Sequence, residues 1–366
     1  MIYIEPTPYV LALVHQIVSF AGAPVDVLFI GANISQPWDL SLDGIPASYL
    51  PHGTIAACRC IAKKLSSAKY SVMHLAGWGH PVLLSALIVA RLIGIPVSVE
   101  TDSAMPVAQP WFKRVAKKLL NPLLFSLPVV FLPGGTRQER YLHHYGVPES
   151  RIVVAQMTVD VIAITKATMA ISPEARRAQR TALGIAADEC VFLFVGRLEP
   201  VKGIAVLLDA FSLAYAKMRN VQLLIAGDGL LRGMVEMAAA SSERVRWAGR
   251  LTGGALLDAY SVADVLVLPS MFEPWGLVVN EAMAAGLPVI ASDRVGCVDD
   301  LVIEGKTGIV IGADNPALLA KAMVRLAGDT PLRQAMGAAA RQRISSWTIE
   351  AEAKIVVGAW HRALRA

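Results

Sequence analysis

The sequence predicts an α/β protein built from two doubly wound, Rossmann-like domains that face each other across a cleft. Three observations carry that expectation. The chain has 366 residues, room for two cores of ordinary size. Apolar residues make up 55% of it and charged residues 17%, a balance that excludes a disordered chain. Short apolar runs alternate with amphipathic stretches along both halves, as parallel strands joined by helices require.

In the first half, Met1–Ile4, Val25–Gly31, Tyr70–Leu75, Ile95–Glu100 and Pro128–Leu132 read as strands. Helical patterns lie between them at about 53–66, 81–92, 110–121 and 136–145. In the second half, Cys190–Val195, Val221–Ala226, Val245–Ala248, Val265–Leu268 and Pro288–Ala291 read as strands. Helices are expected at about 203–217, 230–240, 253–261, 277–285, 315–327 and 332–345. Residues 160–180, rich in Ala and Thr and containing Ser172-Pro173, read as the connection. The expected domains are therefore 1–165 and 166–348, with 349–366 a helix packing back toward the first. Ligands of such sheets lie outside the carboxyl ends of the strands, so site residues belong in the loops that follow them.

Several classes are excluded. The apolar run from Pro81 to Val99 is broken by Arg91 and Gly94-Ile95-Pro96, and Leu119–Leu132 by Pro122 and Pro128. A spanning helix needs about 20 largely apolar residues. No basic segment followed by an apolar one opens the chain, so no secretory signal is read and the expected compartment is the cytoplasm. Cys58, Cys60, Cys190 and Cys297 lack metal-ligand spacing and read as buried small residues in a reducing compartment. His143-His144 reads as a helix end in favourable dipole contact and receives no catalytic role.

Four segments of the second half converge on one kind of ligand. The strand ending at Val195 runs into Gly196-Arg197-Leu198-Glu199-Pro200-Val201-Lys202-Gly203 and then a helix. The glycines free the backbone for close approach, and the two cations can flank a diphosphate. Glu273-Pro274-Trp275-Gly276 precedes a helical stretch whose start offers unpaired N–H groups to an anion. Glu281 lies inside that stretch, so the two glutamates can accept hydrogen bonds from opposite ends of one ligand. Gly227-Asp228-Gly229 and Gly249-Arg250-Leu251 end two further strands, and Val265–Leu268 leads through Pro269-Ser270 into the Glu273 loop. Taken singly, each is ordinary αβ punctuation or a solvated charge. The order of all four is not.

That order resembles the retaining GT-B glycosyltransferases of family 4, over roughly residues 190–345. The resemblance implies that Arg197 and Lys202, beside Gly196, bind the donor diphosphate. Glu273 would hold donor-sugar hydroxyls, and backbone amides around Trp275, Gly276 and Leu277 would meet the sugar and distal phosphate. Glu281 would take ribose hydroxyls, and backbone near Arg250 and Leu251 would meet the base. The first half departs from the family. Glu5-Pro-Thr-Pro-Tyr9 follows the first strand where members carry a glycine-rich loop. Glu100-Thr101-Asp102-Ser103 stands where the family often places a histidine. Asp102 is thus the candidate acceptor-side catalytic group, with an Asx turn or helix cap as the alternative. Trp78 and His80, after another strand, are candidates for contact with an acceptor sugar, or simply form a turn.

The pI of about 9.0 and the mean hydropathy of +0.51 call for an account. No acidic residue occurs between Asp102 and Glu139, while Trp111–Leu120 carries Lys113, Arg114, Lys117 and Lys118 among apolar anchors. Such a helix suits either an anionic membrane surface or solvent. No nucleic-acid reader motif accompanies it, so nucleic acid is not an expected partner.

The resemblance implies a retaining hexosyltransferase. Its donor would be a UDP- or GDP-sugar, its acceptor a hydroxyl of a lipid-linked or envelope polysaccharide such as lipopolysaccharide. The first domain would take the acceptor and the second the nucleotide-sugar. The enzyme would be cytoplasmic or peripheral on the cytoplasmic face of the membrane. No metal is implied, nor any cofactor beyond the nucleotide-sugar co-substrate. A non-hydrolysing NDP-sugar epimerase is the alternative enzyme, and a catalytically silent sugar- or lipid-binding subunit the alternative outside enzymes.

Overall fold

The computed structural model describes residues 1–32, 34, 40–42, 44–67, 69–105, 110–218 and 220–365. It divides into two compact units, Met1–Thr158 with Ile349–Ala366, and Val159–Thr348.

The first unit holds β1 (Ile2–Tyr3), β2 (Val27–Phe29), β3 (Ala47–Tyr49), β4 (Met73–Leu75), β5 (Val97–Thr101) and β6 (Val130–Pro133). All pairs are parallel, in the order β3-β2-β1-β4-β5-β6. The order reverses between β1 and β4, which makes that gap the switch point. Helix Pro8–Phe20 starts at Thr7, whose hydroxyl accepts from the Val10 amide. It buries Val10, Leu13, Val14 and Ile17, the 3.6-residue spacing of a helix face. Against Leu13 and Ile17 pack Val356, Val357 and Trp360 of helix Ile349–Ala363.

The second unit repeats the plan with β7 (Cys190–Val195), β8 (Val221–Ala226), β9 (Val245–Trp247), β10 (Val265–Leu268), β11 (Val289–Ser292) and β12 (Gly308–Ile311). The order is β12-β11-β10-β7-β8-β9, again all parallel. Its switch point lies between β7 and β10. Both strands are apolar nearly throughout because helices cover both faces of the sheet.

Some elements differ from expectation. Residues 160–180 are not an irregular connection. They form helices Val161–Met169 and Pro173–Ala182, capped by Asp160 and Ser172. Ser172-Pro173 is a helix start, a serine cap followed by proline in the first turn. The second of these helices is tied down by Arg176 and Arg180, which both donate to the Asp264 carboxylate. Strands β3 and β12, unread in the sequence, are the edges of their sheets. Among the described residues, no helix is long and apolar enough to cross a membrane.

Candidate functional site

In the second unit, β7 ends in Gly196 and the chain tightens into a short 3-10 turn, Pro200–Lys202, before helix Ile204–Tyr215. Gly203 joins the two with φ of 71°, and a Cβ there would overlap the Pro269 carbonyl oxygen. Only glycine lets this turn lie against the loop that leaves β10. Across that contact the Met271 amide donates to the Val201 carbonyl at 2.8 Å. The closeness of the two loops brings the Lys202 ammonium onto the Glu273 carboxylate, both largely buried. The pair straddles the switch point.

The Glu273 loop is held on its other side as well. Its amide donates to the Arg294 carbonyl at 3.1 Å, and the Gly296 and Cys297 amides donate at 2.9 Å to the carbonyls of Glu273 and Trp275. Asp299 and Asp300 lie in the short helix Val298–Leu301 that follows this paired segment directly. Gly276, with φ of 102°, opens helix Leu277–Ala284, and no side chain caps that start. Trp275 does not face a ligand. Its ring is 3% exposed, stacks on Trp347 and donates from Nε1 to Asn280 at 3.1 Å. Of the Trp275–Leu277 trio, Trp275 therefore offers backbone alone.

Glu281 sits in the middle of that helix. Its Oε2 accepts from the Tyr260 hydroxyl at 2.5 Å. Part of Glu281 still reaches solvent, yet its carboxyl is packed among protein atoms, and that burial pushes its pKa up to about 7. The bond from Tyr260 opposes the rise without cancelling it.

Two further loops complete the carboxyl end of the sheet. The Gly227 amide donates to the Gly249 carbonyl at 2.7 Å, and Trp247 Nε1 donates to Gly227 at 2.9 Å. These bonds tie the turns after β8 and β9 together. Arg250 is exposed and Leu251 half-buried in the loop after β9. Arg197 is exposed and, among the described residues, its guanidinium makes no hydrogen bond or ion pair, although its carbonyl accepts from the Glu199 amide at 2.9 Å. The structure thus gathers the loop residues of β7 and β10, pairs two of them, and leaves one guanidinium outward.

In the first unit the acceptor-side candidates have mostly local partners. His80 caps helix Pro81–Leu92, its Nδ1 accepting from the Val82 amide at 3.2 Å. Trp78 packs edge-on against Phe125, with ring centroids 4.8 Å apart, and joins the core. Asp102 is exposed, and the turn beside it is closed by Thr101, whose Oγ1 accepts from the Ser103 amide at 3.0 Å. The glycine-free loop after β1 is fixed by Glu5, which accepts from the Ile34 amide at 2.6 Å.

Beneath these loops lies a polar cluster that the sequence did not announce. His74 on β4 is 1% exposed. Its Nδ1 is 3.3 Å from the Trp360 indole nitrogen, which can only donate, so Nδ1 accepts and the ring proton sits on Nε2. Nε2 faces Glu100 Oε1 at 3.1 Å. Burial, reinforced by Glu100, holds Glu352 on helix Ile349–Ala363 well above the usual carboxylate range.

One described group of three side chains could hold a metal ion: Glu139, His143 and Glu149, on the surface of the first unit. None of the expected site residues belongs to it. His143 bonds Val147 and Glu149 there, beyond its expected contact with the helix end.

Residues 175–343 match the model of the family described as glycosyl transferases group 1. The matched segment, just under half of the chain, contains all the loops after β7 to β10 described above. The D-inositol 3-phosphate glycosyltransferase of Corynebacterium diphtheriae is 32% identical over 222 residues, 58% of this chain and 51% of that protein. The protein of the same name from Arthrobacter sp. strain FB24 is 27% identical over 338 residues, 87% of this chain and 78% of that one. The chain spans about half the length of the first of these relatives. Among solved structures, Anabaena HepE in complex with UDP and glucose superposes with a TM-score of 0.75 at 20% identity, covering 98% of this chain and 97% of that one. WaaG, a glycosyltransferase involved in lipopolysaccharide biosynthesis, gives 0.70 at 15% identity, covering 97% of each. These structures establish the GT-B fold expected from the motif order.

Two groups at these loops escaped sequence reasoning. Tyr260 stands in a helix with no motif around it, and only the fold brings it to Glu281. The segment 294–297 supports the Glu273 loop through backbone atoms, which leave no residue signature.

Proposed function

We propose that this chain moves a hexose from a UDP- or GDP-sugar to an acceptor hydroxyl, with retention and without a metal ion, using the loops after β7 to β10. The observation that carries this reading is the Lys202–Glu273 pair across the switch point. A sugar diphosphate presents its phosphate oxygens and its hydroxyls a few bonds apart, and the pair presents a cation and a carboxylate side by side. One of the three Lys202 N–H groups is engaged by Glu273, so two remain for phosphate oxygens. The outward Arg197 supplies a second cation, and together they neutralise charge growing on the departing diphosphate. The helix start at Leu277 adds amides for the distal phosphate. Glu281, oriented by Tyr260, accepts from the ribose hydroxyls. Glu273 positions the sugar, and the departing phosphate takes the acceptor proton.

UDP-sugars are the first donors to test because HepE binds UDP and glucose, and D-inositol 3-phosphate belongs among the acceptors because the relatives above carry that name. The basic helix Trp111–Phe125 supports a lipid-linked acceptor. At about 100° per residue, Trp111, Phe112, Val115, Leu119, Leu120 and Leu123 share one half of its circumference. All six are exposed, Trp111 by 75% and Leu123 by 69%. Lys113 and Lys118 border that apolar half on either side, as in a helix lying in an anionic membrane interface.

The test is release of UDP or GDP from UDP-glucose or GDP-mannose with and without acceptor, beside a thermal-shift screen of UDP, GDP and ADP. Acceptor-dependent release that Lys202→Ala abolishes is the expected result. A chain stabilised by no nucleotide, or one that only isomerises the sugar, overturns the reading.

A further inference from the structure

The amino ends of β10 and β11 carry a feature that the donor site does not use. A cavity of about 270 Å³ opens there, lined among others by Arg176, Arg333, Arg341, Gln334, Asp264 and Tyr260. Three guanidiniums face one carboxylate, and that carboxylate is already committed. Asp264 Oδ1 accepts from Arg176 at 2.9 Å, and Oδ2 accepts from Arg180 at 2.5 Å and from the Val191 amide at 2.8 Å.

Arg333 and Arg341 have no carboxylate partner among the described residues. Their contacts are helix ends instead. Arg341 donates to the Ala284 and Ala285 carbonyls at 3.3 and 2.7 Å, and Arg333 to the Leu326 carbonyl at 2.6 Å and Thr330 Oγ1 at 3.2 Å. A helix end carries roughly half an elementary charge, which does not balance a guanidinium. Each guanidinium has five N–H donors, so both keep some unspent. Burial lowers the Arg341 pKa, the mark of a cation short of solvent and counter-charge.

We propose that this cavity is a binding site for a small phosphate-class oxyanion held between Arg333 and Arg341. Guanidinium donors match the oxygen spacing of phosphate and bind it bidentately. At about 30 Å³ for each water, the space accommodates phosphate or pyrophosphate with some solvent left. Tyr260 forms part of the wall while its hydroxyl holds Glu281, so an occupant touches the residue that orients that glutamate. The site goes beyond the transferase reading and does not depend on it.

Isothermal titration of inorganic phosphate, and separately of pyrophosphate, into the full chain is the test. Ionic strength is held constant, and the titration is run with and without saturating UDP. The expected result is saturable one-to-one binding that persists with UDP and in Arg197→Ala. It should weaken at least tenfold in Gln334→Glu, an exposed change that adds a negative charge at the cavity without touching the helix-end bonds, and likewise in Arg333→Gln. Binding lost with UDP or in Arg197→Ala would place the anion in the donor loops and overturn the proposal. So would the absence of saturable heat, or affinity unchanged in both Gln334→Glu and Arg333→Gln. A chain that fails to bind UDP defeats the donor reading alone, because the Arg197→Ala and Gln334→Glu arms still decide this one.

Discussion

The Lys202 ammonium rests on the Glu273 carboxylate although 71 residues separate them, because they occupy loops that leave adjacent parallel strands. Removing either partner strands the other in a largely buried setting. Lys202→Ala and Glu273→Ala are therefore expected to lower turnover by on the order of 10²-fold or more, the usual scale for one lost charge stabiliser. Glu273→Ala should leave nucleotide affinity nearly intact. Turnover of NDP-sugar and calorimetric titration of NDP check the two halves of that statement, and full activity in Lys202→Ala would refute it.

On the proposed reading, nucleotide binding is expected to depend on pH through Glu281. Its protonated form predominates below about 7 and its carboxylate above. If the carboxylate accepts the ribose hydroxyls, affinity rises roughly tenfold between about pH 6 and about pH 8, following the competent fraction. Glu281→Gln should bind weakly at every pH, and Tyr260→Phe should retain binding with an altered pH midpoint. A flat profile in the parent chain counts against the assignment.

Turnover should survive EDTA. The charges that face the departing group in the proposed site are Arg197 and Lys202, and the one described metal-capable trio, Glu139, His143 and Glu149, lies in the other unit. Activity lost to EDTA and restored by magnesium or manganese would require a different mechanism.

Membrane binding should be reversible and salt-sensitive. Four cations on helix Trp111–Phe125 supply roughly 4 kcal/mol at low salt, less at higher ionic strength. The quadruple change of Lys113, Arg114, Lys117 and Lys118 to Gln should release the chain from anionic vesicles in sedimentation while nucleotide binding persists. Equal sedimentation of parent and variant would assign the helix to solvent.

Gly203→Ala should cost more than about 1 kcal/mol, because a left-handed φ and a collision with the Pro269 carbonyl act together. Urea denaturation measures the loss. A fall in turnover larger than the unfolded fraction explains would show that the turn also sets the Lys202 position.

What the sequence disclosed follows from the range of each signal. Strands β7, β8 and β10 were legible to the residue because a strand buried on both faces is apolar nearly throughout, Gln222 being the polar exception. The edge strand Ala47–Tyr49, three residues long and partly exposed, has no such contrast. Helices Val161–Met169 and Pro173–Ala182 were hidden for a related reason. The second is strongly polar, and what holds it is Arg176 and Arg180 reaching Asp264, more than eighty positions away. In the site, Arg197, Lys202, Glu273 and Glu281 stood out through glycine turns and spacing. Their partners did not: Tyr260 and the backbone of 294–297 act through tertiary contacts that no local pattern encodes.

Helix Ile349–Ala363 has a consequence for synthesis. It seals the first unit against Leu13 and Ile17, yet it leaves the ribosome only after the whole second unit. The unit begun first is completed last. Until that helix arrives, Leu13, Ile17, Val130 and His74 lack their cover, and the nascent first unit presents an apolar face that invites chaperones or self-association. The second unit, continuous from Val159 to Thr348, is by then already synthesised in full.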